Sequence, residues 1–592
     1  MNHKFPTLFK FYRWRLRHLS DRKLVLILSP IIGVCTALGA TVIKKSVKWI
    51  QYLVDFFTGN EALNYLYVFL PFIGILIVVL IVKFIIRSPV RHGIPNVLHS
   101  ISCRKGELSK HNLYSSILTS VLTVGFGGSV GLEGPAVATG AAYGSWFSNA
   151  FRLDYRYKIL MLACASSGAM AAIFKAPITG IAFAIEIVMI DVNTFSLVPL
   201  LLTILSSIIT SYFFMGDEAL YPFKVTSSFL ISDFPMYVVF GILAGLFSAY
   251  FTKIFIWISD FFEKIKSVWS RLCIGGFSLG IIIFFFPSLY GEGYHSINSC
   301  IHGNIDYLFN NSLFFNVNDS FPIMVLLILA ICFLKVIATS ITFGAGGVGG
   351  IFAPALFTGA NMGMFFALIC DKFNIFQTDK NNLVLIGMSG MIAGILQAPL
   401  TGIFLIAEIT GGYSLFVPLM IVSLFSYLTV KIFATNSVYH YQLAQRKELM
   451  THDQDTNVLR MMEVNKLVET DFISLHPEDN LGKLAEVISI SHRNLFPIVD
   501  ENGNMKGMLK MDDVREIIFR SELYDKVFMK DLMYMPEYFI STNDTMKDVV
   551  KKFGKSGRYN IAVIDNGKYV GFISRARVFS RYRKEMSLFS HD

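Results

Sequence analysis

Long apolar runs separated by short polar stretches fill the first three quarters of the chain. Uninterrupted runs lie near 24–43, 67–86, 196–214, 236–256, 273–286, 323–341 and 415–433. About 20 apolar residues suffice for a helix to cross a bilayer, so these runs predict membrane-spanning helices. Other apolar stretches, around 92–100, 125–148, 168–189, 344–369 and 388–410, are interrupted by Gly or Pro. A broken helix is stable in a bilayer only where protein or a water-filled cavity satisfies its backbone. The pattern predicts a channel or transporter body with discontinuous helices.

The interrupted stretches occur in pairs. SSGAMAAIFKAPITGIAFAIEI, from Ser166, matches MSGMIAGILQAPLTGIFLIAEI, from Met388, aligning Pro177 with Pro399 and Glu186 with Glu408. Upstream of each, GFGGSVGLEGP (125–135) matches GAGGVGGIFAP (344–354), placing Pro135 opposite Pro354. The membrane body is therefore two related halves, about 24–215 and 236–436. Matched Gly/Pro breaks in two halves point to a binding site near the midplane.

Past residue 433 the long apolar runs stop. Residues 446–463 read as a linker, and 464–586 hold a second, smaller repeat. LFPIVDENGNMKGMLKMDDVREII, from Leu495, and IAVIDNGKYVGFISRARVF, from Ile561, each combine a β-rich run, an Asn-Gly turn, a second strand and a helix. This tail reads as a tandem α/β module.

Composition agrees with the membrane assignment. Of 592 residues, 54% are hydrophobic and 16% charged, against roughly 25% charged in soluble domains. The net charge of +10 would suit a nucleic-acid binder, but Lys4, Lys10, Arg13, Arg15, Arg17, Arg22 and Lys23 all precede the first apolar run. Residues 1–23 thus form a basic arm that the positive-inside rule places in the cytoplasm. The tail follows it there, and no nucleic-acid partner is expected. Seven scattered cysteines without a CxxC pair suggest neither a metal site nor a disulfide framework.

Two local motifs are set aside. Gly127 to Gly131 fits a GxSxG nucleophile elbow and Gly344 to Gly349 a GxGxxG fingerprint, but both need a soluble strand–turn–helix setting. Here they lie in duplicated membrane segments, and no nucleophile–base pair or HExxH accompanies them, so no enzyme is expected. Three other stretches run from Gly into Pro as a helix start should: Arg91-His92-Gly93-Ile94-Pro95, Gly131-Leu132-Glu133-Gly134-Pro135 and Gly350-Ile351-Phe352-Ala353-Pro354. Free N–H groups at a helix start attract an anion without a full positive charge. Glu133 places an acid where an anion would also bind.

Those three stretches, in that order, resemble the GSGIP, GxEGP and GxFxP signatures of the CLC family of chloride channels and proton-coupled chloride exchangers. The tail resembles the CBS-domain pair that many CLC proteins carry. The resemblance implies an all-α polytopic membrane domain over 24–445, with inverted repeats and broken helices, followed by α/β tandem CBS domains. It implies a multi-pass homodimer in the cell membrane, surrounded by lipid, with one chloride pathway per subunit and protons as a second candidate substrate. Glu133 matches the family's gating glutamate. The anion would be held from His92, Gly93, Gly131, Leu132, Gly134, Ile351, Phe352 and Ala353, and by the hydroxyl of Tyr439, with Tyr441 as the neighbouring alternative.

Three positions depart from the family pattern. His92 stands for the serine of GSGIP; it either contributes its ring to the pore or leaves only its backbone there. Leu132 stands for a frequent arginine. Ile187 occupies the place of the inner proton-carrying glutamate of the exchangers, one residue after Glu186. The sequence therefore favours a channel or weakly coupled pathway over a proton/chloride antiporter. Glu186 and its repeat partner Glu408 read as structural. A CBS-regulated divalent-cation transporter is the rival, but Glu133, Glu186 and Glu408 form no acidic cluster at one level. The membrane body calls for no cofactor. In the tail Asp513 and Ser574 are the positions at which a CBS pair would meet an adenine nucleotide, and each copy keeps only half of that pattern.

Overall fold

The computed structural model describes residues 15, 18–58, 66–88, 90, 93–189, 193–216, 229–305, 308, 320–374, 379–445, 459 and 462–586. His92 and most of the linker lie outside these. The chain divides into two compact units, Met1–Leu449 and Met450–Asp592.

Among the described residues the first unit is built of helices and the loops between them. Nine of its helices among the described residues are long and apolar enough to cross a membrane. They include two that the sequence pattern had shown as interrupted, Tyr155–Phe174 and Phe352–Phe373. The glycines inside such stretches do not break them; they let helices meet backbone to backbone. A Cβ at Gly359 would stand 2.5 Å from Met388 Cα, and one at Gly144 would stand 2.5 Å from the Met161 carbonyl oxygen. Small residues are how membrane helices approach closely.

Genuine breaks fall elsewhere, and each is built the same way in both halves. The helix Tyr155–Phe174 stops at Lys175 in the left-handed region (φ 57°), and Pro177 opens the helix Pro177–Glu186. Its counterpart stops after Ile395, passes Gln397 (φ 56°), and restarts at Pro399 as the helix Pro399–Ile409. Upstream, the helices Asn112–Gly125 and Phe321–Gly344 end in loops that turn at Gly127 (φ 96°) and Gly346 (φ 106°). The helices Glu133–Ala150 and Phe352–Phe373 follow.

The two halves satisfy each other's broken ends by exchange. Gly131 N–H donates to the Gly350 carbonyl at 2.8 Å and Gly350 N–H to the Gly131 carbonyl at 2.7 Å, an antiparallel bridge. Val348 N–H donates to Thr123 Oγ1 (3.0 Å), while Ser129 N–H donates to Thr342 Oγ1 (3.2 Å). Glu186 accepts from Leu400 N–H, Thr401 N–H and Thr401 Oγ1 at 2.7–2.8 Å. Glu408 accepts from Ile178 N–H, Thr179 N–H and Thr179 Oγ1 at 2.7–2.9 Å. The paired glutamates thus cap each other's short helices, the structural role expected of them.

In the second unit β1 (Leu495–Val499) pairs antiparallel with β2 (Met505–Lys510), and β3 (Asn560–Asp565) with β4 (Lys568–Ser574). Helices at Met511–Val514 and Arg575–Met586 follow the second strand of each pair. The Asn-Gly positions form the turns, with Gly503, Asn566 and Gly567 at positive φ. The two copies join edge to edge: Tyr569 N–H donates to the Gly503 carbonyl at 3.0 Å. This is the α/β tandem that the sequence predicted.

Removing one swapped carboxylate strands two helix-end N–H groups and a threonine hydroxyl, and that threonine, Thr401 or Thr179, is fully buried. At 1–3 kcal/mol for each unsatisfied group, Glu186→Ala and Glu408→Ala are each expected to cost about 3 kcal/mol and to lower the melting temperature in detergent by matching amounts. A neutral result for either variant would contradict the exchange.

Candidate anion site and its gate

Three helix starts converge where glycine alone fits. A Cβ on Gly93, the first residue of the helix Gly93–Cys103, would lie 2.5 Å from Gly134 C and O, and one on Gly134 would lie 3.0 Å from Gly350 Cα. Neither Leu132, before Glu133–Ala150, nor Ile351, before Phe352–Phe373, makes a side-chain cap bond. The first-turn N–H groups therefore have no intrahelical acceptor and face the same small space. The macrodipoles of the helices add partial positive charge there.

A cavity with room for about one water-sized particle opens at this point, lined by Gly93, Ile94, Pro95, Gly134, Phe255, Phe343, Gly349, Gly350, Ile351, Val438 and Tyr439. Phe255 and Phe343 meet edge to face, 5.7 Å between ring centroids, and make its apolar wall. Tyr439 is 3% exposed; its hydroxyl has no hydrogen-bonding partner and faces the Ile351 backbone N–H. Of the two tyrosines weighed from the sequence, Tyr439 lines the cavity. Phe352 is fully buried, its ring 5.4 Å from that of Phe174. Its side chain belongs to the core, so only its amide is available to the site.

Glu133 is 1% exposed, at the first position of its helix. Tyr294 donates its hydroxyl to Oε1. Oε2 is buried without a hydrogen-bonding partner and is turned toward the Ala353 backbone N–H across the bridge. The gate candidate of one half therefore sits over the helix start of the other. An orphaned carboxylate oxygen and an orphaned tyrosine hydroxyl flank the same pair of helix starts, an arrangement that an anion or a proton would complete.

The structure redistributes some of the sequence candidates. Gly131 and Leu132 are not free donors: Gly131 N–H is taken by Gly350, and Leu132 N–H donates to Glu292 Oε1 at 3.3 Å. Gly131 instead makes room for the Glu133 carboxyl, since a Cβ there would meet Glu133 Oε2 at 2.1 Å. Gly93, Gly134, Ile351, Phe352, Ala353 and Tyr439 are brought together, whereas His92 lies outside the described residues. Ile187 is 1% exposed in an apolar setting.

Sequence reading missed a set of charges beside Glu133. Lys335 is fully buried and donates to Ser129 Oγ (2.8 Å) and the Gly291 carbonyl (3.0 Å), with its ammonium 4.8 Å from the Phe357 ring centre. Lys44 donates to the Ile173 carbonyl at 2.5 Å and lies within electrostatic range of Glu133 and Glu292. Glu292 brings a second carboxylate within electrostatic range of Glu133, a residue that the sequence did not single out. A lysine inside an apolar run is a functional signal in itself, and Lys335 in ILAICFLKVIATS carried it. Still, no group of three or more acidic, histidine or cysteine ligands forms among the described residues.

In the tail, Ser574 Oγ donates to Glu469 Oε1 at 2.7 Å. Glu469 is 7% exposed and also pairs with Arg493 at 2.7 Å. Arg493 forms a further pair with Asp471, holding that carboxyl below its ordinary range. Asp513 is exposed on the far copy. The hydroxyl that a nucleotide phosphate would need is thus held by a buried carboxylate, which would repel phosphate.

A Gly131→Ala variant is expected to push the Glu133 carboxyl from its seat beside Ala353. A crystal structure of the variant with Glu133 Oε2 still in that place would contradict this placement.

Comparison with known proteins gives a consistent picture. A family profile described as voltage gated chloride channel matches residues 73–431, and the CBS domain profile matches 464–520 and 529–584. The H(+)/Cl(−) exchange transporter ClcA of Klebsiella pneumoniae is 27% identical over 432 residues, covering 70% of this chain and 87% of that one. Among solved structures, a slow cyanobacterial Cl−/H+ antiporter superposes with a TM-score of 0.60 at 21% identity, over 71% of this chain and 97% of that one. A eukaryotic CLC transporter superposes with a TM-score of 0.61 at 18% identity, over 94% of this chain and 99% of that one.

Proposed function

The chain belongs to the voltage gated chloride channel family, carries two CBS domains, and is a multi-pass membrane protein; on that basis we propose that it conducts chloride through the cavity at Ile351 and Tyr439, gated by Glu133. The observation that carries this reading is the unpartnered Glu133 Oε2 facing the Ala353 helix start. Ionised, the carboxylate competes with chloride for the same amides; protonated or swung aside, it releases them. Backbone dipoles bind a small anion while leaving it free to move on, which a fixed cation would not.

The pathway is passive or weakly coupled to protons. Ile187 cannot carry a proton, and Glu186 beside it is committed to Leu400 and Thr401. Charge-assisted bonds contribute about 1.5–3 kcal/mol each, so three of them hold Glu186 in its capping role. Obligatory exchange is the second reading, supported by relatives whose names describe chloride/proton exchange. In liposomes with chloride efflux and internal pH followed together, a chloride gradient is expected to drive no stoichiometric proton uptake. Steady uphill proton movement would establish exchange instead. Glu133→Gln is expected to remove most of the pH dependence of chloride flux, and a wild-type pH response in that variant would remove Glu133 from the gate.

We further infer a homodimer in the cell membrane, with the basic N-terminal arm and the CBS tail in the cytoplasm. The swapped helices Pro177–Glu186 and Pro399–Ile409 are too short to span a bilayer, yet Ile178, Ile185 and Leu400 are exposed. A second subunit would cover those faces together with Leu205, Ile209, Leu424 and Leu428, which are exposed on the neighbouring helices. Mass measurement in lipid nanodiscs is expected to give two chains per particle; single chains at all loadings would contradict the dimer.

A further inference from the structure

The segment Gly291–Tyr294 belongs to the second half but is folded against the gate of the first. Gly291 N–H donates to the Gly127 carbonyl at 3.4 Å, in the loop that leads to Glu133. Tyr294 donates its hydroxyl to Glu133 Oε1. Between them, Glu292 accepts the N–H of Leu132, the residue that precedes Glu133, at 3.3 Å. Four residues of one segment therefore place both a hydroxyl and a second carboxyl on the gate. Glu292 remains partly exposed, whereas Glu133 is buried with Oε2 unpartnered.

Each element packed on this segment contributes a defined charge, or none. The helix Asp21–Thr58 supplies Lys44, within electrostatic range of both carboxyls. The helix Phe321–Gly344 supplies Lys335, which holds the Gly291 carbonyl and lies within range of Glu292. The helix Phe352–Phe373 offers only the ring of Phe357, against Gly293. Tyr290 is spent on the Gly125 carbonyl, to which its hydroxyl donates at 3.1 Å. Two lysines thus face two carboxyls in a low-dielectric setting.

We propose that Glu292 is the proton-exchange partner of Glu133, the carboxyl from which the gate takes the proton that frees the helix start. This rests on the reading of Glu133 as the gate. In the transfer the O–H bond breaks at Glu292 and forms at Glu133, so the pair keeps its total charge, and water then reprotonates Glu292. The same route in reverse returns the proton when the gate closes. A proton that enters and leaves through Glu292 opens the gate without crossing the protein, which is how a chain with Ile187 can be pH-gated and weakly coupled at once.

The test uses full-length protein in liposomes and the rate at which chloride flux rises after a rapid drop in pH. Losing a positioned proton donor slows transfer by 100-fold or more in enzymes; with water as a substitute route, Glu292→Gln is expected to slow opening by about tenfold. Glu292→Asp, which keeps a carboxyl, is expected to recover most of the rate, a rescue that a merely structural role would not predict. Glu133→Gln and the Glu133→Gln/Glu292→Gln pair should behave alike, open and insensitive to the pH step. Opening of Glu292→Gln at the wild-type rate overturns the proposal. Should that variant fail to reconstitute, Glu292→His carries the test: a group titrating near pH 6.5 must move the opening response toward neutral pH, and an unmoved response overturns the proposal equally. A pH-dependent Glu133→Gln would overturn the gate reading itself, whatever the Glu292 variants do.

Discussion

The candidate anion site depends on one constraint: broken helices in a bilayer must find hydrogen-bond partners outside themselves. This chain meets it by exchange between two related halves. Each half supplies the glycine carbonyl, the threonine hydroxyl and the glutamate that the other half's breaks require. Because the exchange is reciprocal, neither half can complete its breaks alone. The Gly131–Gly350 bridge also fixes the separation of the two helix starts beside it. Those starts are left with free amides because the bridge and the threonines have already satisfied the loops. Every other property of the site follows from that division.

Function enters where the symmetry fails. Both halves present a helix start, but Glu133 stands in one and Phe352 in the other, so one start carries its own competitor and the other only a packed ring. Lys335 has no counterpart in the first half, whose equivalent position is Ser116, and it ties the Ser129 loop to the Gly291 segment. That segment is in turn the element that reaches Glu133. A symmetric scaffold thus places the amides, and in the proposed function the asymmetric side chains decide when they are free.

Much of this was legible in the sequence. The Gly-to-Pro stretches located all three helix starts, and the duplicated blocks paired Glu186 with Glu408 before any contact was known. What the sequence could not supply was which amides were spent. Gly131 and Leu132 carry the motif as clearly as Phe352 and Ala353, yet their N–H groups are taken by Gly350 and Glu292, partners more than 150 residues away. Glycine was ambiguous for a similar reason. At Gly127 it turns the chain, at Gly359 it only makes room inside a helix, and the letter is the same. Glu292 escaped notice because it lies in a short polar loop, where an acid is ordinarily solvated. Only the fold brings that loop onto Glu133. In the tail, the retained Ser574 suggested a ligand, and only the structure shows Glu469 holding its hydroxyl.

The central claim is that the amides at Ile351, Phe352 and Ala353 hold an anion for which the Glu133 carboxylate competes. Crystals soaked in bromide, with anomalous scattering recorded at neutral and at acid pH, test it directly. One bromide peak is expected between the Ile351 amide and the Tyr439 hydroxyl at both pH values, and a second at the vacated Glu133 position at acid pH alone. Absence of bromide from the helix starts, or a second peak indifferent to pH, would contradict it.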